Sequence, residues 1–170
     1  MPYKKVRLNY IYMEPETRER FDLVCNELGW QYKQLVSQCI QAFFKVNRNF
    51  YIDAGLVDCR ARGMLEEDYY RTLRDQDKSD LPAYLTERPD FGVTPLDEVT
   101  AIETEKEFLR KYDTLTLSGY NSVLLRVARI VDMRPLSQLV SRIVKQHFER
   151  YWENIYAPQI ELDKACKFKS

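Results

Sequence analysis

What this chain lacks narrows its class first. It has one histidine, five glycines and seven prolines in 170 residues. So little Gly and Pro excludes a collagen-like or low-complexity chain. No apolar run approaches the ~18 residues a membrane helix needs, so no membrane partner is expected. The amino-terminal stretch MPYKKVRLNYIYMEPE is basic but has no apolar core of roughly 7–15 residues, so no signal peptide is expected. There is no Gly-rich phosphate loop, no zinc pattern and no nucleophile motif. The cysteines at 25, 39, 59 and 166 lack metal spacing. They read as buried free thiols, which points to a reducing, cytoplasmic compartment. His147 falls on the apolar side of a helical pattern and is expected to be packed and hydrogen-bonded. Asp75, Asp77, Ser79 and Asp80 lack the central Gly and final Glu of a calcium loop. No metal, no cofactor and no catalytic residue is therefore expected, and the chain does not read as an enzyme.

Neither charge is in excess: Lys+Arg and Asp+Glu both number 26. The distribution is uneven, with net +1 over 1–58, −6 over 59–109 and +5 over 110–170. An acidic middle separates a near-neutral start from a basic end, and that asymmetry carries more than the total does.

What is present is amphipathic pattern. Phe21, Val24, Cys25 and Leu28 make one helical face, with Pro15 at its start and Gly29 at its end. A second face follows in Leu35, Val36, Cys39, Ile40, Phe43 and Phe44, predicting a helix to about Tyr51. Ahead of both, Lys5–Met13 alternates as a half-buried strand. It puts Val6, Leu8, Tyr10 and Tyr12 on one side and Lys5, Arg7, Asn9 and Ile11 on the other. Residues 64–76 read as one charged helix and 77–94 as loop. A helix start is capped by Thr94, and weak helix runs through 107–112.

The opening pattern then returns. Thr114–Ser118 alternates polar and apolar. Leu124, Val127, Ala128 and Val131 repeat the first face at an offset of 103. Leu139, Val140, Ile143, Val144, His147 and Phe148 repeat the second at 104, and the one-residue difference is assigned to the turn. Gln-Leu-Val-Ser stands at both 34–37 and 138–141. This is an internal duplication of strand–helix–helix. It divides the chain into a first repeat (1–55), an acidic helical and loop insert (56–111), a second repeat (112–158) and a basic tail (159–170).

Lys5–Met13 with Pro15–Phe44, and Thr114–Ser118 with Asn121–Trp152, resemble the ribbon–helix–helix family of DNA-binding proteins. The resemblance implies a mainly α fold with a short two-stranded antiparallel β-ribbon. Here both repeats would pair within one chain as a pseudo-dimer. It further implies a cytoplasmic, nucleoid-associated prokaryotic transcriptional regulator that binds double-stranded DNA. Lys5, Arg7, Asn9, Thr114 and Thr116 would contact bases from the ribbon. Gln31, Tyr32, Lys33, Arg134 and Ser137, at the second helix of each repeat, would contact phosphate. Arg7 and Asn9 are also what a solvated strand face carries. The alternative is a protein-interaction module, an antitoxin or adaptor, that keeps the fold without reading DNA. Self-association or a protein partner through the insert is a further expectation.

Overall fold

A computed structural model describes residues 3–8, 10–75, 88–96, 109–111 and 114–169. The fold is mainly helical with short antiparallel strand pairs. Its elements run β1 (Tyr3–Arg7), β2 (Tyr10–Tyr12), α1 (Pro15–Leu28), α2 (Tyr32–Ala61) and α3 (Glu66–Asp75). Then come β3 (Leu109–Lys111), β4 (Thr114–Ser118), α4 (Gly119–Asp132), α5 (Leu136–Tyr151), a π-helical turn (Trp152–Tyr156) and α6 (Ala157–Lys169).

β1 pairs with β4, and β2 with β3, both antiparallel. Arg7 lies opposite Thr114 and Tyr10 opposite Lys111. Three residues forward on one strand are three back on the other, so the two ladders share one register. The 107–112 stretch, expected as weak helix, supplies β3 instead. Its Leu-Arg-Lys has no helical pattern of its own, and pairing with β2 satisfies its backbone.

The strand alternation holds only in its first part. Val6 and Leu8 are buried while Lys5 and Arg7 are exposed. Beyond Leu8 the phase changes. Ile11, expected to face outward, is fully buried, as is Met13, while Tyr12 is half-buried. Two buried residues three apart, Leu8 and Ile11, cannot lie on one face of a regular strand. The change falls at the gap between β1 and β2.

α1 begins with Pro15 in its first turn, where no backbone N–H is needed. It buries Thr17, Phe21, Val24 and Cys25, and ends at Gly29 in the left-handed region, φ 72°. α2 does not stop near Tyr51 but runs ten residues further, to Ala61. Tyr51, Ala54, Gly55, Asp58 and Cys59 are all buried and continue the helical spacing. Gly55 lets α3 come close, since a Cβ there would sit 3.2 Å from the Tyr70 hydroxyl. Asp58, fully buried in this apolar stripe, accepts from Tyr69 OH at 2.7 Å and from Arg62 Nε at 3.0 Å. Those bonds tie α3 to the end of α2. The boundary drawn after residue 55 thus lies inside one continuous helix.

α1 and α4 both have 14 residues. The residues after their ends, Gly29 and Met133, are 104 apart, as are Gln31 and Pro135, the N-caps of α2 and α5. The helix ends therefore keep a single offset with no insertion in the turn. The offset of 103 arose because α4 is buried nearly all round, from Ser122 to Ala128, so two phases fit its apolar residues. Met133 does what Gly29 does, with φ 52°.

The core lies where α2 crosses α4 and α5. Phe21, Leu35, Ile40, Phe44, Tyr51, Leu115 and Phe148 are fully buried there. α5 also packs against β2, and α2 against β4, so each long helix leans on the other half's strand. His147 Nε2 lies 2.7 Å from Tyr156 OH, packed as expected, and burial lowers its pKa to about 4. Three cysteines are buried, but Cys166 is exposed on α6. The segment expected as a basic tail is this helix, packed on α1, with Lys167 ion-paired to Asp163 at 2.9 Å.

Candidate nucleic-acid interface

The side chains expected to read bases begin on the β1–β4 ladder. Lys5 lies directly opposite Thr116, and Arg7 opposite Thr114. Residues opposite one another in an antiparallel pair share a face. Lys5, Arg7 and Thr116 are all exposed, and their neighbours Val6, Leu115 and Leu117 are buried beneath them. The ladder thus presents two cations and a hydroxyl from an apolar footing. Thr114 joins it by backbone register, and Asn9 lies outside the described residues.

The face is not isolated from the insert. Lys4 lies close enough to Asp75, at the end of α3, to act on its carboxyl. Arg74, hydrogen-bonded to Asp75, is the main reason that group is held low, and the Lys4 charge adds to it. α3 therefore brings its last carboxylate within electrostatic range of the start of β1.

The five residues expected to hold phosphate divide. Gln31, Tyr32 and Lys33 are exposed at the start of α2. Gln31 is the N-cap, and its backbone N–H is taken by the side chain of Gln34 at 3.3 Å. Tyr32 stacks its ring parallel to Phe21, centroids 5.5 Å apart, which anchors the α1–α2 turn. In the second half Pro135 is the N-cap and Arg134 is exposed beside it. Ser137 is half-buried, and its carbonyl accepts from Ser141 Oγ. Proline at the cap removes one amide and leaves those of the first turn unaffected.

Residues not singled out in the sequence complete the first-half side. A groove of about 590 Å³ is lined by Trp30 in the α1–α2 turn, by Lys33, Gln34, Ser37, Gln38 and Gln41 on α2 and by Thr116 on β4. Ser37 Oγ donates to the Thr116 carbonyl at 3.4 Å, closing its floor. The signal was available: Gln34, Gln38 and Gln41 recur at helical spacing on the face opposite Cys39 and Phe43. Further along α2, the Arg48 guanidinium lies over the exposed ring of Tyr120, 5.4 Å from its centroid.

Among the described residues no cluster of His, Cys, Asp and Glu could hold a metal ion, and no helix is long and apolar enough to cross a membrane. Chemically the exposed ladder and the groove offer cations, amides and hydroxyls, which donate to phosphate oxygens and base edges. No family model matches this chain, and neither a curated protein nor a solved structure does.

Proposed function

We propose that this chain binds double-stranded DNA sequence-specifically, with the β1–β4 face in the major groove, as a transcriptional regulator without enzymatic activity. The architecture we propose is a ribbon–helix–helix pseudo-dimer whose two halves are β1–β2–α1–α2 and β3–β4–α4–α5. The observation that carries it is the antiparallel pairing of Lys5 with Thr116 on an exposed face over a buried apolar one.

Symmetry supports the same architecture. At the offset of 104, β2 corresponds to residues within β4, and β3 to residues within β1. Applying that offset to the register carries each ladder onto the other. The register is then two-fold symmetric about the point between residues 8 and 9, where the two ladders separate. Ser37 against Thr116 and Ser141 against Tyr12, whose N–H donates to Ser141 Oγ at 2.8 Å, are counterparts under the same operation. A two-stranded ribbon of this kind fits the major groove, where Arg reads guanine O6 and N7 and Thr can touch a thymine methyl. The two strands carry different side chains, so the target has two unlike halves. The protein acts in the cytoplasm, associated with the nucleoid.

The test is selection from random-sequence duplex DNA across a salt series, with Arg7→Ala/Thr116→Ala in parallel. Wild type is expected to bind, to weaken steeply with salt and to select a sequence that the double variant no longer selects. No binding at low salt, or the same sequence selected by the variant, overturns this reading. The protein-interaction alternative then takes its place.

A further inference from the structure

α2 is almost twice as long as α5, with 30 residues against 16. From Tyr32 to Ile52 it contains no acidic residue. Gln34, Gln38, Gln41, Lys45 and Arg48 succeed one another at spacings of four, three, four and three, so they form one stripe along the helix. Gln34, Gln41, Lys45 and Arg48 are exposed, and Gln38 is half-buried. At ~1.5 Å per residue the stripe is about 21 Å long, the rise of about six base pairs at ~3.4 Å each. It starts in the groove beside Thr116 of the ribbon and ends where Arg48 covers Tyr120, the second residue of α4.

The second half has no such stripe. By the offset of 104, the counterparts of Gln38, Gln41, Lys45 and Arg48 are Arg142, Lys145, Glu149 and Trp152. Arg142 is buried, and Lys145 is ion-paired with Glu14 at 2.6 Å. Glu149 is an exposed anion. Trp152 is covered by the Arg20 guanidinium, 5.4 Å from the ring centroid. Only Gln138, the counterpart of Gln34, is kept; beyond it, where the first half offers amides and cations, the second offers a buried arginine, a paired lysine, a carboxylate and a capped ring.

From this contrast we infer that the α2 stripe is a second, one-sided contact to the DNA sugar–phosphate backbone. It extends the footprint beyond the ribbon on the side of the first half alone and fixes which way round the protein sits. The inference rests on the DNA-binding reading above. Lys45 and Arg48 supply point charges to phosphate, and the glutamine amides supply neutral donors between them. Glu149 places an anion where the first half has Lys45.

The experiment compares the full chain with Lys45→Ala/Arg48→Ala. The double variant changes only exposed side chains, and a thermal melt checks that it folds. A control, Arg150→Ala/Lys164→Ala, removes the same charge from the second half and from α6. Each protein is titrated against the selected duplex over a salt series, and backbone protection is mapped on both flanks. Loss of two phosphate contacts is expected to make the log–log salt slope shallower by about 1.8. Protection is expected to shorten on one flank only, with the selected sequence unchanged and the control like wild type. Wild-type slope and protection in the double variant, or an equal loss in the control, overturn the one-sided contact and leave the ribbon reading standing. If wild type does not bind duplex at all, the ribbon reading fails and the stripe falls with it.

Discussion

At the scale of single residues, the strand phase and one buried histidine make the firmest predictions. Ile11 is fully buried and Lys5 exposed, although simple alternation puts them on the same side. Ile11→Ala is expected to cost about 3 kcal/mol in a denaturant melt, and Lys5→Ala less than about 0.5. Comparable costs at the two positions would contradict the change of phase at Leu8. His147 carries a sign. Its pKa is lowered to about 4 by burial, below the ordinary 6.5, so the fold favours the neutral ring. The stability this represents is present above pH 6.5 and is lost as pH falls towards 4. By linkage that is roughly 3 kcal/mol at pH 4. Its counterpart in the first half is Phe43, so His147→Phe is the natural replacement. The variant is expected to lose this part of the acid sensitivity, which a series of melts between pH 7 and 4 would reveal. Tyr156, whose phenol burial holds protonated, loses its partner in that variant, so stability at pH 7 is expected to fall slightly. At this scale Lys5, Arg7 and His147 were legible from the sequence because each depends on its immediate neighbours. Ile11 was not, because nothing in KVRLNYIYM marks the place where the ladder breaks. Asn9, the next residue of the proposed reading face, lies outside the described residues.

At the scale of elements, the two turns between helices solve one geometric problem with different residues. Gly29 and Met133 both take the left-handed conformation. That conformation costs a side chain with a Cβ about 1–2 kcal/mol and costs glycine almost nothing. Met133 is 45% exposed, so removing its side chain gives up little packing. Met133→Gly is expected to raise stability by about 1 kcal/mol and Gly29→Ala to lower it by a similar amount. Both can be measured by urea unfolding, and a destabilised Met133→Gly would show that its side chain matters more than its backbone. The helix limits that were legible, Pro15, Gly29 and the start of α5, are marked by local chemistry. The end of α2 was not, because buried Asp58 looks like an interruption of the apolar stripe. Only its bonds to Arg62 and Tyr69, the latter eleven residues on in α3, make it part of the stripe. Asp58→Ala is therefore expected to remove the acceptor of the Tyr69 hydroxyl and the ion pair with Arg62. The cost is on the order of 3 kcal/mol, with faster hydrogen exchange concentrated in α3. β3 was hidden for a related reason, since three residues pair only because β2 arrives from about a hundred positions earlier.

At the scale of the whole molecule, repetition was the most legible feature. Its exact offset needed the caps, because an apolar helix buried on all sides has no unique phase. Pairing between β1 and β4 within the chain predicts a 20.3 kDa species by sedimentation at micromolar concentration. A species of twice that mass, dissociating on dilution, would mean that like strands pair between chains instead.

Joining β1 and β4 through one backbone also changes the arithmetic of response. A ribbon assembled from two separate chains exists in proportion to the square of their concentration when scarce, and dilution dissolves it. Here the partner strand is always present at a fixed effective concentration set by the intervening polypeptide. The ribbon therefore persists at a single copy per cell. Under the proposed DNA-binding function, occupancy of a single site would climb with protein level along a simple hyperbola, with no threshold.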